Sequence, residues 1–369
     1  MSLDASAQDA VDRELMRRAL RLAERGRGQT SPNPLVGAII VSRSGVLVGS
    51  GHHRRAGGPH AEIMALEEAG GAARGATLYC TLEPCCHQGR TGPCVVPIAA
   101  SGIQRVVIPL EDPDPRVAGR GVQYLREHGI RVDVGIGRDE AVTLNAAFFT
   151  GLRERRPHVT IKIAISQDGR IAAAPGQRTP VTGEAALRRV QRLRAEVDAV
   201  GVGSETALVD DPLLTVREVY RARPLVRAVF DRRLRTPPTS RLLSAPERGT
   251  VWIITTQARV EDAAERVRAL EAAGATLVCL DQGHLVSALA ELYARGIQSL
   301  LVEGGALLHR ACWDAGVVDR VEIHQSPRVL GSGGVAWMMP AETVVERLSG
   351  TRRTTAGDDV IVTGDVRRG

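Results

Sequence analysis

Residues 60–94 read HAEIMALEEAGGAARGATLYCTLEPCCHQGRTGPC, and this stretch decides the fold of the first part of the chain. Its apolar spacing and its Gly and Pro breaks predict a helix over 60–69, a strand over 76–82 and a short helix over 93–100. One histidine opens the first helix, and two cysteines stand at the two ends of the loop before the second. The pattern therefore brings His60, Cys85 and Cys94 towards one place.

One histidine and two cysteines form a three-ligand set for Zn²⁺ that leaves a fourth position open. An open position is typical of catalytic zinc, because it holds a water whose pKa the metal lowers from about 15.7 towards 7. Glu62 stands two residues after His60 at the same helix start. Without binding the metal, this carboxylate can take a proton from that water and return it to a leaving amine.

The order His-x-Glu and then Pro-Cys-x-x-Cys is the signature of zinc-dependent deaminases. Here the second cysteine follows the first by nine residues, with CHQGRTGP between them. Cys86 competes with Cys85 as a ligand, but adjacent cysteines seldom both reach one tetrahedral ion, so we interpret Cys86 as a packing thiol. A structural zinc site and the absence of any metal stay open as alternatives, whereas a disulfide does not suit the cytosol.

The chain has 369 residues, more than the roughly 250–300 that one hydrophobic core usually holds, so we expect two domains. Strands alternate with helices up to a predicted helix over 139–150, which indicates a three-layer α/β unit. The charged stretch GLRERRPH at 151–158 is typical of a linker. A second α/β alternation follows, with one helix expected over 260–273 and a strand at 360–362 closing the sheet. The predicted domains are residues 1–150 and 157–369.

Composition narrows the class of partner. The net charge of +6 favours anionic partners, but aromatics are only 3% of the residues, which leaves little for stacking on nucleic-acid bases. No long basic run occurs, and no apolar run approaches the length of a membrane span. The beginning of the chain is polar and acidic, unlike a secretory signal. We therefore expect a cytoplasmic protein without a nucleic-acid or membrane partner, and arginines that are simply scattered are the alternative to an anionic partner. We further expect a homo-oligomer that takes phosphorylated small molecules.

Lys162 is the one lysine among the 48 Lys and Arg residues. A lysine kept where every other basic residue is arginine indicates a need for a compact ammonium group with three donors. Chance retention is the alternative interpretation.

Four stretches together resemble one family across nearly the whole chain: SPNPLVGAIIV (31–41), GHHRRAGGPHAE (51–62), TLEPCCHQGRTGPC (81–94) and EGGALLHRACWDAGVVDRV (303–321). They are similar to the bifunctional riboflavin-biosynthesis enzymes, which join a pyrimidine deaminase to a 5-amino-6-(5-phosphoribosylamino)uracil reductase. The long loop between the two cysteines distinguishes that family from plain cytidine deaminases, so the departure noted above supports the resemblance. The resemblance implies a cytidine-deaminase-like three-layer domain, then a dihydrofolate-reductase-like domain, with Zn²⁺ and NADPH as cofactors.

The resemblance also implies which residues face the deaminase substrate: Asn33, His53, His87 and Arg90. Their types suit that role, because asparagine offers a donor and an acceptor to a pyrimidine edge, and the other three bring donors to a ribose phosphate. The family usually has lysine at position 90, which changes the donor geometry. His52 competes with His53, although its spacing to His60 is less like the family's. Asn33 has an alternative interpretation as a turn residue between two prolines.

In the second half, no GxGxxG fingerprint follows a strand, which does not favour a Rossmann domain. By the resemblance, Ala164, Thr206, Asp210 and the turn from Gly305 to Ala311 face NADPH, and Lys162, Arg194, Leu214, Arg217 and Glu303 face the phosphoribosyl substrate. The turn after Glu303 leads from a strand into a helix, and its free amides suit a phosphate. Alternatively, Arg194 lies on a solvated helix face and Arg217 at a strand end. Lys162 matches a family lysine that would polarise the sugar carbonyl or bind its hydroxyls.

Two positions depart from the family pattern. In RTPVTG (178–183) Pro180 stands where the family commonly has tryptophan, so an aromatic that could cover the nicotinamide is missing. Glu205 is a bulky acid where the family tends to have a small residue. We expect one chain that is both hydrolase and oxidoreductase: it deaminates 2,5-diamino-6-(5-phosphoribosylamino)pyrimidin-4-one and then reduces the ribosyl group to ribityl with NADPH. A specialised paralogue with an altered or inactive reductase, and a deaminase of nucleic acid, are the alternatives.

Overall fold

The computed structural model describes residues 5–88 and 92–367, and the chain forms two compact units, Met1–Glu154 and Arg155–Gly369. Residues 151–154, which we expected to belong to a linker, complete the last helix of the first unit. Among the described residues, none of the helices has both the length and the apolar character that crossing a membrane requires.

The first unit is a five-stranded sheet with helices on both faces, as far as its described residues show. Its helices are α1 (Ala5–Ala23), α2 (Ala61–Ala69), α3 (Val95–Ala100), α4 (Arg120–Glu127), α5 (Arg138–Leu144) and α6 (Ala146–Glu154), and its strands are β1 (Gly37–Val41), β2 (Leu47–His52), β3 (Thr77–Cys80), β4 (Arg105–Ile108) and β5 (Arg131–Val134). The order is β2-β1-β3-β4-β5, with β1 antiparallel to both neighbours and the last three strands parallel.

Strand β1 shows why two helical layers are needed. Its residues are all buried, and successive side chains of a strand point to opposite faces. Ile40 packs into the core with α2, α3 and α4, whereas Ile39 packs into the core with α1, α5 and α6. The predicted three-layer arrangement is therefore correct.

Two glycines of β2 bring α2 directly onto the sheet. A Cβ at Gly49 would collide with the backbone carbonyl of Ala65, and one at Gly51 with that of Ala61. Only glycine therefore allows this close approach. It sets the start of α2 beside the end of β2.

The helix predicted over residues 139–150 is two helices, α5 and α6, separated at Asn145. The Asn145 side chain pairs with the backbone of Leu35: Leu35 N–H donates to Oδ1 at 2.8 Å, and Nδ2 donates to the Leu35 carbonyl at 2.9 Å. This contact spans 110 positions, so local periodicity does not reveal it.

The second unit is built on a nine-stranded sheet within the described part of the chain. Its strands are β6 (His158–Ile165), β7 (Arg170–Ala172), β8 (Ala199–Gly203), β9 (Val226–Phe230), β10 (Val251–Thr256), β11 (Ala275–Leu280), β12 (Ser299–Val302), β13 (Arg320–Gln325), β14 (Val335–Ala336), β15 (Leu348–Ala356) and β16 (Asp359–Val366). Its helices are α7 (Glu184–Glu196), α8 (Ser204–Val209), α9 (Gln257–Asp262), α10 (Ala264–Ala272), α11 (Leu285–Ala294), α12 (Ala306–Asp314) and α13 (Ala341–Val345).

The large sheet runs β11-β10-β9-β8-β12-β6-β13-β16-β15, and β14 pairs separately with β7. All neighbours from β11 to β13 are parallel, whereas β16 is antiparallel to both β13 and β15. The strand expected to close the sheet is therefore second from the edge. The edge strand β15 reads LSGTRRTTA and lacks apolar alternation because its residues 349–355 are exposed.

Two further local features shape the second unit. The single helix expected over residues 260–273 is interrupted at Ala263, whose φ of −123° and ψ of 40° separate α9 from α10. Before β6, Arg156 forms a buried two-pronged pair with Asp319, at 2.7 and 2.9 Å. Asp319 also accepts the backbone N–H of Val159 at 2.7 Å, which fixes the beginning of β6.

Candidate active sites

The predicted metal ligands lie together. His60 caps the N-terminus of α2, Cys94 caps that of α3, and Cys85 lies in the loop after β3. His60 Nδ1 is 3.1 Å from Cys94 Sγ and 3.5 Å from Cys85 Sγ, and the three ligand atoms all lie within 4.8 Å of one another. Ligands bound at about 2.0–2.3 Å in a tetrahedron are roughly 3.5 Å apart, so the arrangement fits Zn²⁺.

The two thiols differ in their pKa values, which are lowered for Cys85 and raised for Cys94. Hydrogen bonds from the Cys94 thiol, from His60 and from the Cys94 amide hold the pKa of Cys85 well below its usual range, despite burial. The pKa of Cys94 is raised, because its thiol is the donor in this pair. Thiolates are the form in which cysteine binds metal.

Cys86 does not belong to the cluster. Its Sγ lies 3.9 Å from the backbone carbonyl of Arg116, and it is not among the three residues whose ligand atoms converge. This geometry agrees with our interpretation of Cys86 as a packing thiol.

Serine substitutions should therefore separate the cysteines by zinc content. We expect about one zinc per chain in the wild type, loss of the metal in Cys85→Ser and Cys94→Ser, and retention in Cys86→Ser, because only the first two remove a converging sulfur. Metal analysis of the purified proteins checks this. Loss in Cys86→Ser together with retention in Cys94→Ser would contradict the ligand assignment.

Glu62 is buried beside this cluster and is 3% exposed. Burial raises the pKa of its carboxyl above the usual value, and the neighbouring Cys85 raises it further. Its Oε2 atom has no hydrogen-bond partner within residues 5–88 and 92–367. A buried oxygen without a partner is costly, so the carboxyl suits a group that arrives with metal, water or substrate.

Asn33 and His53 form a chain of hydrogen bonds next to the cluster. His53 Nδ1 lies 3.1 Å from the Pro59 carbonyl, which only accepts, so Nδ1 carries the proton. His53 Nε2 therefore accepts from Asn33 Nδ2 at 3.1 Å, and the carboxamide oxygen of Asn33 is turned elsewhere. The His53 ring stands edge-on to that of His60, with centroids 5.4 Å apart. Burial lowers the pKa of His53, which keeps its ring neutral.

His52 lies elsewhere. It lines a surface cleft of about 450 Å³ with Arg25, Arg54 and other residues, and these two cations add to the effect of burial in lowering its pKa. The structure thus joins His53, and not its competitor, to Asn33 and His60.

His87 lies in the loop between the two cysteine ligands, and its buried Nδ1 atom has no partner among the described residues. Arg90, the remaining predicted substrate residue of this site, lies outside the described residues.

Sequence reasoning missed two residues that support this site. The Glu83 carboxylate accepts three backbone N–H groups, from Asp112 and Gly119 at 2.9 Å and from Val122 at 3.0 Å. It thereby holds the segment before α4 against the loop that carries Cys85. Asn145 holds Leu35, two residues from Asn33. The sequence did carry a signal for this residue, because Asn145 is one of only two asparagines in the chain.

The second cluster surrounds Lys162 on β6. Arg194 of α7 donates from Nε and Nη2 to the two oxygens of Glu303 at 2.6 and 3.0 Å, and from Nη1 to the Thr215 carbonyl at 3.0 Å. Both side chains of this pair are 12% exposed, so a solvated position for Arg194 is wrong. Each of these two predicted substrate residues is thus held by the other.

Lys162 is 8% exposed. Burial lowers the pKa of its ammonium, and the carboxylate of Glu303 opposes that effect. In the part of the chain that the structure describes, its ammonium makes no hydrogen bond or ion pair. A compact donor group held ready in a polar cluster fits a ligand that brings acceptors.

Thr206 and Gly305 connect two strand-to-helix turns. Thr206 Oγ1 accepts the backbone N–H of Gly305 at 3.1 Å, so this amide, which we expected to be free for a phosphate, is engaged. The first-turn amides of α12, at residues 306–308, have no acceptor within the helix. They are donors of the kind that bind an anionic group at a helix N-terminus.

The remaining predicted cofactor and substrate residues line the same edge of the sheet or the loop beyond it. Ala164 lies two residues after Lys162 on β6, and Asp210 ends α8, with its pKa raised by burial. Leu214 is buried with a φ of 50°, and Arg217 is exposed in the loop before β9, not at a strand end. The buried Arg227 supports this loop by donating to the Leu213 carbonyl at 3.4 Å.

The two positions that depart from the family pattern have partners. The Pro180 carbonyl accepts from Arg328 Nη1 at 2.9 Å. Glu205 pairs with Arg235 at 2.8 Å and remains largely exposed.

Comparisons with known proteins agree with this division of the chain. The family model for the cytidine and deoxycytidylate deaminase zinc-binding region matches residues 9–110, and that for the RibD C-terminal domain matches residues 157–362. The riboflavin biosynthesis protein RibD of Aquifex aeolicus (strain VF5) is 38% identical, with 95% of this chain and 98% of that protein covered. RibD of Escherichia coli (strain K12) is 42% identical, with 87% and 89% covered.

Two solved structures are also similar to the chain over nearly its whole length. A structure of Acinetobacter baumannii RibD has a TM-score of 0.84 at 34% identity and covers 98% of this chain and 100% of its own. A Thermotoga maritima diaminohydroxyphosphoribosylaminopyrimidine deaminase/5-amino-6-(5-phosphoribosylamino)uracil reductase has a TM-score of 0.85 at 33% identity, with the same coverage. The predicted fold class, a deaminase-like α/β domain followed by a reductase domain, is confirmed.

Proposed function

The chain belongs to the RibD family of riboflavin-biosynthesis proteins, and from that premise we propose which of its residues carry the two reactions. It is a bifunctional enzyme, a zinc-dependent deaminase and an NADPH-dependent reductase. A paralogue with an inactive reductase is not favoured, because full-length RibD relatives match most of the chain and the RibD C-terminal domain matches residues 157–362.

The deaminase reaction is assigned to the cluster around His60. His60, Cys85 and Cys94 hold Zn²⁺, which when bound makes water a stronger nucleophile by lowering its pKa. Glu62 receives a proton at its buried carboxylate and passes it to the amino group at C2 of the pyrimidine. The C2–N bond breaks, a C2–O bond forms and ammonia leaves. The observation that carries this assignment is the Oε2 atom of Glu62, which is buried without a partner among the described residues.

Asn33, His53, His87 and Arg90 bind the substrate in this proposal. The Asn33 carboxamide, whose nitrogen is held by His53, presents its oxygen to a donor on the pyrimidine edge. The neutral imidazole of His53 fixes that orientation, since its other nitrogen is committed to Pro59. His87 and Arg90 supply donors for the ribose phosphate.

The reductase reaction is assigned to the cluster around Lys162. Ala164, Thr206, Asp210 and the turn that begins at Gly305 would hold NADPH, and the chemistry that the cofactor would supply there is a hydride for C1′ of the ribosyl group. The C1′–O4′ bond breaks, and Lys162 provides the proton that O4′ takes up. Glu303, held by Arg194, accepts from sugar hydroxyls, and Leu214 and Arg217 complete the substrate side.

The decisive experiment gives the purified protein 2,5-diamino-6-(5-phosphoribosylamino)pyrimidin-4-one with and without NADPH. We expect ammonia release in both cases, but the gain of two hydrogens and nicotinamide oxidation only with NADPH. Mass spectrometry of the products checks this. Ammonia release without any reduction of the deaminated product would contradict the reductase assignment, and release from an oligonucleotide instead would favour a nucleic-acid deaminase.

We also propose the partners and the location of the protein. Phosphorylated small molecules are the proposed substrates, with no nucleic-acid or membrane partner. The six cysteines are all free thiols, which supports a reducing compartment such as the cytoplasm. The exposed edge strand β15 supports a homo-oligomer, since an uncovered edge presents backbone groups for pairing with another chain.

A further inference from the structure

A second buried acid, Glu322, lies beside Lys162. It is on β13, whereas Glu303 follows β12 on the other side of β6. Strand β6 lies between β12 and β13, and β13 pairs with it in register so that Glu322 faces Lys162 and His324 faces Ala164. Side chains of paired residues, and of alternate residues along a strand, project from the same face of a sheet. Lys162, Glu322 and His324 therefore occupy one face.

Glu322 is 1% exposed and has three donors. Arg189 of α7 donates from Nε and Nη2 at 2.8 and 3.1 Å, and His324 Nε2 donates to Oε1 at 2.8 Å. Burial raises the pKa of Glu322, but the hydrogen bonds from His324 and Arg189 outweigh it and lower the pKa to about 2. A negative charge is thus fixed next to Lys162.

His324 is completely buried, and only one of its two ring nitrogens has a hydrogen-bond partner among the described residues. Its Nε2 carries the hydrogen that it donates to Glu322, and burial lowers its pKa, so its Nδ1 is the acceptor of a neutral ring. Within the described residues, Nδ1 has no partner. A buried acceptor left without a donor is destabilising, so this atom calls for one.

The missing donor is available on the next strand. The Lys162 ammonium is unpaired among the described residues. Lys162 and His324 stand on the same face of adjacent parallel strands, two residues apart in register, and the spacings of about 5 Å between strands and about 3.3 Å per residue bring the imidazole within reach of a lysine side chain. In addition to burial, the charge of Lys162 lowers the pKa of His324, so the two groups interact electrostatically. The charged or titratable groups that face Lys162 are Glu303, Arg194, Glu322, His324, Asp359 and His309. His324 alone among them is a neutral acceptor with no partner in the described chain.

We propose that the Lys162 side chain, which makes no hydrogen bond in the described part of the structure, turns to donate from Nζ to His324 Nδ1, and that His324, held by Glu322, thereby orients the ammonium that the reductase uses. His324 is a positioning residue, and its functional importance rests on the role of Lys162 under the proposed function. A neutral imidazole suits this task because it stabilises the charged form of Lys162 without adding a positive charge of its own.

The single lysine of the chain makes the test direct. The full chain labelled with ¹³C-lysine gives one lysine Cε signal, and its pH titration reports the pKa of Lys162 in the resting protein. His324→Gln keeps an N–H for Glu322 but lacks the acceptor at the Nδ1 position. His324→Asn keeps an acceptor there but cannot reach Glu322.

We expect the titration midpoint to fall by about one pH unit in His324→Gln and by less than half of that in His324→Asn, because only the first loses the acceptor. An unchanged midpoint in His324→Gln, or equal falls in both variants, would overturn the proposal. Should both variants unfold, the ¹⁵N chemical shift of His324 Nδ1 in the wild type takes their place, because an acceptor of the Lys162 hydrogen bond must respond when that lysine loses its proton. An Nδ1 signal that stays constant through the lysine midpoint would overturn the proposal.

The pH profile of NADPH oxidation is the second readout. Loss of the acceptor favours the neutral amine, so the alkaline limb of the reductase profile should move to lower pH by the same amount as the midpoint. NADPH affinity and ammonia release should be unchanged. If the wild type oxidises no NADPH, the proposed reductase function fails, whereas the lysine titration still decides whether His324 holds Lys162.

Discussion

Glu62→Gln should reduce ammonia release by about 10²–10⁴-fold or more, because transfer of a proton by a positioned side chain typically contributes that much. Glutamine keeps the size of the buried side chain but cannot receive a proton at pH 7. Zinc content should be unaffected, since Glu62 is not among the three residues whose ligand atoms converge. Ammonia release from the zinc-loaded variant measures the effect.

Two controls accompany this variant. Glu67→Gln changes an exposed acid on the same helix, α2, and should leave ammonia release as in the wild type. Reduction of the already deaminated substrate by Glu62→Gln should also be normal. Near-normal ammonia release from zinc-loaded Glu62→Gln would rule out Glu62 as the proton carrier.

Lys162→Arg should reduce NADPH oxidation by about 10²-fold or more, the loss usual for a misplaced donor at a reacting oxygen. Arginine keeps the positive charge but replaces a compact ammonium with a wide planar group. The position is buried between Glu303 and Glu322, whose arginine partners already occupy the space on α7. Absorbance of the reduced nicotinamide, followed with the deaminated substrate, measures the effect.

The matched control is Arg192→Lys, the reverse exchange at an exposed position of the same helix, α7, which should leave the reductase unchanged. Ammonia release by Lys162→Arg should equal that of the wild type, and NADPH should still bind. Wild-type turnover in Lys162→Arg would show that a simple positive charge suffices and would remove the argument from the compact ammonium.

The metal cluster was predictable because its residues sit at the ends of local elements. His60 and Glu62 begin one helix and Cys94 begins another, so periodicity and spacing place them correctly. The hydrogen bond between Asn33 and His53, and the support from Asn145, join distant parts of the chain. Such contacts depend on how the elements pack, which a single sequence does not reveal.

The Glu322–His324 pair was missed for a different reason. Strand β13 reads RVEIHQ, and this alternation of apolar and polar residues is typical of a strand with one face in water. Here the polar face is buried under α7, whose Arg189 supplies the counter-charge. The pattern is therefore the same for a solvated face and for a buried ionic one, and only the covering helix distinguishes them.

The pair between Arg156 and Asp319 determines where the second unit could be separated from the first. A fragment starting at residue 157 would lack the guanidinium that binds both oxygens of the buried Asp319 carboxylate. Removing one partner of a buried pair costs about 3–5 kcal/mol, a large share of the stability of a typical domain. We therefore expect an autonomous reductase fragment to be more stable when it includes Arg156, which agrees with the boundary between the two compact units at Glu154 and Arg155.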